Sequence, residues 1–289
     1  MTITPSMVKD LREKTGAGMM DCKTALSEAQ GDMNAAVEIL RKKGIATAAK
    51  KAGRTAADGL VGSQLCPDGR HGVLVEVNCE TDFVTKTEDF QKFVTRVAEV
   101  ASKTNPSTLD DLMSAKLESQ TVLEVQTALV AKIGENLGVR RFARVEAGAG
   151  KKLARYIHAG SKIGVIVSFF DPAGKLDDQT AREVAMHVAA MHPQYVRRDD
   201  VPESVLSKER EIMIAQMADT KKPPEILDKI VSGKIGKLFT EICLEDQIFV
   251  RDPDGKSSVG AWLKKIDQGI KVDTFVRLQV GEGVEKKSE

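Results

Sequence analysis

Two stretches of this chain repeat one another, and the place where they fall out of step constrains the fold more than any other feature. "GLVGSQLC" (59–66) and "GVLVEVNC" (72–79) flank the turn residues "PDGRH", and "ARYIHA" (154–159) and "IGVIVSFF" (163–170) flank "GSK". Apolar runs separated by Pro, Asp, Gly and Ser read as β-hairpins. Each hairpin then enters a helix that ends at a proline, "FQKFVTRVAEVASKTNP" in the first copy and "QTAREVAMHVAAMHP" in the second. A hairpin followed by a helix buries one sheet face under one helix, so two copies predict an α+β chain with antiparallel sheets.

Strand residues 73–77 match 165–169 with an offset of 92, whereas Val97 and Ala98 match Val184 and Ala185 with an offset of 87. The first copy therefore carries five extra residues between strand and helix, and they fall at "ETDFVTK" (80–86). Insertions settle at exposed connections, which makes this segment an addition to a working scaffold. Thr81 and Asp82 suit a turn. Phe83 and Val84 are apolar where solvent is expected, so either they fold back into the core or they serve a contact with something else.

Ahead of the repeat, residues 1–54 read as a three-helix module. Thr4 caps and Pro5 opens the first helix, with Val8 and Leu11 inward and Gly16 as its stop. The second runs from about residue 19 to 30 with Met20, Ala25, Leu26 and Ala29 inward. The third follows Asp32, presents Ala36, Val37 and Leu40, and is expected to stop at Gly44. "AAKKAGRTAADG" after it has no apolar face and reads as a linker. The predicted units are then 55–148, the first α+β subdomain, and 149–280, the second. A helical hairpin is inserted in the second at about 200–235, from the apolar spacing of 203–218 and 225–239 around "KKPP". Its apolar seam either closes on itself or recruits a second copy, as a homodimer or 2:2 complex. "EICLEDQIFV" and "FVRLQV" are read as a return to the β layer, and residues 281–289 as a polar tail that frays.

Composition narrows the function. Among 289 residues, 43 basic side chains nearly balance 42 acidic ones and leave a formal charge of +1, so no bulk field draws nucleic acid or an anionic membrane. The longest apolar run, 163–170, is far short of the ~20 residues a membrane span needs. "MTITPSMVKD" lacks the basic start and apolar block of a secretion signal, so a cytoplasmic location is expected. Cys22, Cys66, Cys79 and Cys243 show no metal-ligand spacing among themselves or with the four histidines, and they are expected to be free thiols. No metal or cofactor is predicted. His187 and His192, five apart, do not share a helix face, and for one of them near a helix end a cap or surface place is expected. "TGAG" (15–18) lacks the Lys-Ser/Thr ending of a phosphate loop. The basic residues Arg41, Lys42, Lys43, Lys50, Lys51 and Arg54 have no interleaved aromatics, so a solvated linker is favoured over RNA binding. No triad or carboxylate pair stands out, and no catalytic residue is predicted.

Two longer stretches carry a resemblance. "LREKTGAGMMDCKTALSEAQGD" (11–32) and "VEVNCETDFVTK" (75–86) resemble the signatures of the bacterial elongation factor Ts family, and "LVAKIGENLGVRR" (129–141) and "VGEGVEK" near the end agree with it. The resemblance implies a guanine nucleotide exchange factor that binds elongation factor Tu, preferentially without nucleotide, with no bond chemistry, no direct nucleic acid and no membrane. It assigns Asp82 and Phe83 as the pair that intrudes beside the nucleotide and Mg²⁺ of the GTPase, with Thr81 and Val84 in the same loop. A Phe83 that only staples its own helix is the alternative. By position it adds Arg12, Met19 and Met20 of the N-terminal, UBA-like module, Ile133 and Gly134, and His158 as partner contacts. The alternatives are a core place for Met20, helix-end packing for Ile133 and an ordinary strand position for His158. Two departures stand out: relatives often continue past "VGEGVEK" into a further helix, and Thr85 replaces a common Ala. The rival reading is an interaction adaptor built on the three-helix module, without exchange activity.

Overall fold

The computed structural model describes residues 3–217 and 223–284. Three helices open it: α1 (Pro5–Thr15), α2 (Met19–Glu28) and α3 (Met33–Lys51). Their core is Leu11, Cys22, Ala25, Leu26 and Ala36, and Met20 points outward, against expectation. Thr4 Oγ1 and Asp32 Oδ1 cap α1 and α3 as their residue types suggest. The third helix does not stop at Gly44. It runs seven residues further because Gly44 is a contact, with room for a Cβ only 3.6 Å from the Ala131 Cβ. Tertiary packing here outweighs the helix cost of glycine, about 1 kcal/mol.

The first α+β unit comprises β1 (Asp58–Leu65), β2 (His71–Cys79), α4 (Asp82–Thr85), α5 (Glu88–Thr104), α6 (Leu109–Ser114), the two-residue strands β3 (Lys116–Leu117) and β4 (Gln120–Thr121), α7 (Val122–Ile133) and β5 (Leu137–Glu146). The second comprises β6 (Lys151–Ile157), β7 (Ile163–Phe170), α8 (Asp178–Met191), α9 (Glu203–Ala215), α10 (Pro224–Ile242), α11 (Val259–Ile266) and β8 (Lys271–Gln279). Each holds one three-stranded antiparallel sheet, ordered β1-β2-β5 and β6-β7-β8.

The duplication survives in backbone detail. A β-bulge falls between Glu76 and Val77 in one sheet and between Ser168 and Phe169 in the other, at the offset of 92. In the helices, Val94, Val97, Ala98 and Ala101 are buried like Ala181, Val184, Ala185 and Val188, at the offset of 87. Both helices end on a left-handed cap, Asn105 (φ 47°) and His192 (φ 48°). Of the five extra residues, one extends β2, one lengthens the connection, and three start α5 earlier than α8. The added material is thus mostly ordered, not slack.

The two sheets meet back to back through Val61, Leu74, Val145, Ile166 and Leu278. Repeat-equivalent glycines make the approach: a Cβ on Gly72 would lie 3.0 Å from Ile166 Cδ1, and one on Gly164 would lie 2.6 Å from Val61 Cγ1. Helices α5 and α7 cover the outer face of the first sheet and α8 and α11 that of the second. Consequently β2 and β7 are buried on both faces, which is why they read as unbroken apolar runs.

Between the sheets Glu76 is fully buried at the first bulge. Arg140 Nη1 (3.0 Å), Arg141 Nε (2.5 Å) and the Gly281 amide (2.9 Å) donate to its carboxylate. Burial pushes its pKa up, but these donors together outweigh burial and hold it below the usual carboxylate range. Ser168, its counterpart, donates to Asp273 Oδ2 at 3.1 Å.

Helices α9 and α10 form the expected hairpin, closed on itself by Val201, Leu206, Met217, Val231, Ile235 and Ile242. Isoleucines 212, 214 and 226 stay exposed. Its second helix continues to Ile242, three residues past the apolar spacing read over 225–239 and beyond the insertion bound near 235, because Ile242 still packs in the hairpin core. The segment after it is a 3-10 turn with isolated bridges Tyr195–Cys243 and Ile248–Ser258, not strand as expected. The tip and the tail beyond 284 lie outside the described residues. Of the two histidines, His192 takes the helix-end place expected for one of them, and His187 is buried.

Candidate functional site

The strand-exit loop resolves the ambiguity between Phe83 and Val84 by splitting them. Val84 (4% exposed) and Thr85 enter the core beneath α5, so Val84 is an anchor and not a contact surface. Phe83 is 75% exposed, which removes the reading of a staple for its own helix. A helical turn, α4, is what points neighbours in opposite directions here. Thr85 Oγ1 donates to the Asp82 carbonyl at 2.6 Å and Thr87 Oγ1 to the Val84 carbonyl at 2.7 Å, closing the turn.

The loop is also braced from the side. Glu135 accepts from the Thr81 amide at 3.1 Å and from Thr81 Oγ1 at 2.8 Å, a two-point clamp across 54 residues of sequence. Cys79 beneath it donates to the Thr81 carbonyl at 3.1 Å, and burial pushes that thiol up to about 12, so it remains protonated. On the exposed side Lys86 Nζ pairs with Asp82 Oδ2 at 2.7 Å and stands 5.2 Å above the Phe83 ring. Glu135 and Lys86 lie within the stretches that carry the resemblance, but nothing in the sequence singles them out. Phe83 is thus a rigid apolar probe with an acid beside it, held out on a fixed base.

The N-terminal module carries two more exposed apolar side chains. Met19 (61% exposed) and Met20 (70%) follow the left-handed cap Gly16, and Arg12 is exposed on α1. Lys132 of α7 lies against Gly16 and bridges to Asp89 of α5 at 2.7 Å, six residues past Phe83. Gly134, a left-handed cap, gives its carbonyl to Lys51 Nζ at 2.7 Å, while Ile133 packs partly into the core. The basic run is spent on such internal pairs: Arg41 with Glu124, Lys43 with Asp21 at 2.5 Å, Arg54 with Glu80 at 3.4 Å. These pairs leave little of it as a phosphate-binding stripe. His158 is not a strand residue. It sits exposed at the β6–β7 turn of the second sheet, 3.0 Å from Tyr156 Oη through Nδ1.

A braced loop ending in an exposed Phe and a pair of exposed methionines, carried on two back-to-back sheets, present the kind of apolar surface seen in proteins that dock on other macromolecules. The family described as Elongation factor TS matches residues 80–282. The chain is 52% identical over its whole length to Elongation factor Ts of Thioalkalivibrio sulfidiphilus, covering 96% of that protein. It is 49% identical, at the same coverage, to Elongation factor Ts of Alkalilimnicola ehrlichii. Over 99% of its length it is 46% identical to Elongation factor Ts of Clostridium perfringens, again 96% covered. This chain belongs to the elongation factor Ts family, a family of translation factors. Among the described residues no helix is long and apolar enough to cross a membrane.

Proposed function

We propose that this chain performs nucleotide exchange on elongation factor Tu with the Asp82–Phe83 loop as the working part. The role follows from family membership: an elongation factor Ts promotes GDP release from elongation factor Tu during translation elongation, so that GTP can load. The observation that carries the mechanism is the 75% exposure of Phe83 on a loop whose base is buried at Val84 and clamped at Glu135. An exchange factor binds its GTPase better without nucleotide, and linkage then requires that it weaken nucleotide binding by the same factor. Phe83 wedges into the GTPase, where burial of such a ring supplies about 1.5–3 kcal/mol. Asp82 exchanges Lys86 for partner groups and disturbs the hydrated Mg²⁺, whose octahedral shell tolerates little distortion.

Arg12, Met19 and Met20 grip the GTPase domain, with the adaptable methionines suited to a surface that changes shape. Ile133, Gly134 and His158 are further contacts, the last to a second domain. The factor makes and breaks no covalent bond, needs no cofactor, and acts in the cytoplasm.

The test is stopped-flow release of a fluorescent GDP analogue from elongation factor Tu. Release accelerates strongly with the intact chain and much less with Phe83→Ala. Equal acceleration by the two removes the wedge, and no acceleration by either favours an adaptor that binds without exchange.

A further inference from the structure

The hairpin turn at the opposite end of β2 brings together three side chains of metal-binding type. Cys66, Asp68 and His71 offer a thiol, a carboxylate and an imidazole whose ligand atoms all lie within 4.8 Å of one another. The sequence reading missed this set because it sought cysteine pairs and helical histidine spacing, whereas a β-turn produces the juxtaposition. The Cys66 amide donates to the His71 carbonyl at 2.9 Å, closing the ladder, and the Gly69 amide donates to the Cys66 carbonyl at 2.9 Å, reversing the chain. Residues 66 and 71 therefore face each other, and Asp68 folds back from the tip, its Oδ1 accepting from the Arg70 amide at 3.1 Å.

The imidazole is held from behind. His71 Nε2 is 2.8 Å from Ser102 Oγ, and Ser102 is a buried residue of α5. That contact leaves Nδ1 as the nitrogen free to ligate and fixes the ring, as outer hydrogen bonds do for ligating histidines. Arg70 Nε also pairs with Asp68 Oδ2 and orients the carboxylate. Zinc is the common ion that accepts sulfur, imidazole and carboxylate together.

We propose that Cys66, Asp68 and His71 form a binding site for a divalent ion of the zinc class, with water in the fourth position. Bond lengths of about 2.0–2.3 Å put the ligand atoms of a tetrahedral site roughly 3.3–3.8 Å apart, so side chains on this turn close on the ion by moving about an ångström. Cys66 binds as thiolate, its proton passing to solvent as the sulfur–metal bond forms. The ion clips the β1–β2 turn, and through Ser102 ties it to α5. The strand β2 from His71 to Cys79, eight steps or roughly 26 Å at ~3.3 Å each, separates the site from the Phe83 loop, so it is distinct from the exchange surface.

The experiment titrates the full, reduced, chelator-treated chain with Co²⁺ as a spectroscopic probe. One equivalent is expected to produce a thiolate-to-cobalt band in the near ultraviolet with tetrahedral visible bands, and Zn²⁺ is expected to erase both. Cys66→Ser is expected to lose the thiolate band, and Asp68→Asn to weaken Zn²⁺ binding at least about tenfold in competition with a chromophoric chelator. Both side chains lie on the turn, so exchange on elongation factor Tu stays unchanged and reports that the variants fold. The same Co²⁺ spectrum from Cys66→Ser, or Zn²⁺ binding no tighter than millimolar, overturns the proposal.

Discussion

Phe83 and Val84, neighbours in the chain, occupy opposite sides of one helical turn, Phe83 out in solvent and Val84 in the core beneath α5. Their substitutions should therefore separate function from stability. Phe83→Ala is expected to leave the urea midpoint within experimental scatter while slowing exchange by roughly ten- to a hundredfold, the kinetic equivalent of about 1.5–3 kcal/mol. Val84→Ala is expected to lower stability by about 1–3 kcal/mol through the cavity it leaves. A Phe83→Ala variant as unstable as Val84→Ala would contradict this division.

Glu135 holds the loop base from outside the loop. Glu135→Ala strands the Thr81 amide and hydroxyl and is expected to raise amide hydrogen exchange at Thr81 and Asp82. Loss of two hydrogen bonds to a charged acceptor, about 1.5–3 kcal/mol each at most, should cut the exchange rate several-fold with the N-terminal contacts intact. Unchanged amide protection in that variant would show that Val84 alone suffices.

Glu76 makes stability depend on acid. Its carboxyl is held below the usual 4.5 in the folded chain by Gly281, Arg141 and Arg140, so the stabilisation is complete above that value and is lost as pH falls through the lowered one. Urea unfolding of the intact chain and of Glu76→Gln should differ most near neutrality and converge at strongly acid pH. A constant difference across pH would exclude the linkage.

His187 acts in a higher window. The Val250 amide donates to its Nδ1 at 3.3 Å, so the ring proton sits on Nε2, which donates to Gln247 Oε1 at 3.0 Å. Burial lowers the His187 pKa below 6.5, against a smaller opposing effect of Gln247. The unfolded chain takes up its proton first, so stability is expected to fall as pH drops through about 6.5. An NMR titration in which this ring protonates above 6.5 would reverse the sign.

A Cβ on Gly44 would already stand in van der Waals contact with the Ala131 Cβ, at 3.6 Å. Gly44→Leu is expected to lift α3 from α7, expose the chain around residues 52–57 to proteolysis, and weaken binding to elongation factor Tu with both sheets still folded. Resistance to protease equal to that of the intact chain would show that the contact does not hold the module.

The repeat made much of this architecture legible. Both hairpins, both covering helices and the position of the inserted loop follow from periodicity, because β2 and β7 are buried on both faces and their helices carry strong apolar stripes. Strand β5 was not legible. Its "LGVRRFARVE" breaks alternation with arginines whose charges are absorbed by Glu76 and by the Ser102 carbonyl, and a bulge shifts its register. The length of α3 was hidden for the opposite reason: it packs through Gly44 and Ala48, residues too small to register as an apolar face. Within the loop, sequence singled out Phe83, but the partition of Phe83 from Val84 needs the three-dimensional turn. Glu135 is invisible from sequence because it meets Thr81 from 54 residues away.

The seating of α3 on α7 has a consequence for how two separate grips cooperate. Arg41 pairs with Glu124 and Lys51 with the Gly134 carbonyl, either side of the Gly44 contact, so a stretch that looked like a tether is a pinned strut. On the proposed reading, a partner captured at Met19 and Met20 then meets Phe83 as an intramolecular event, at a local concentration set by a fixed distance and not by the sweep of a flexible chain. Two individually weak contacts on such a strut release together as readily as they engage together, which suits a factor that must let go once GTP has entered.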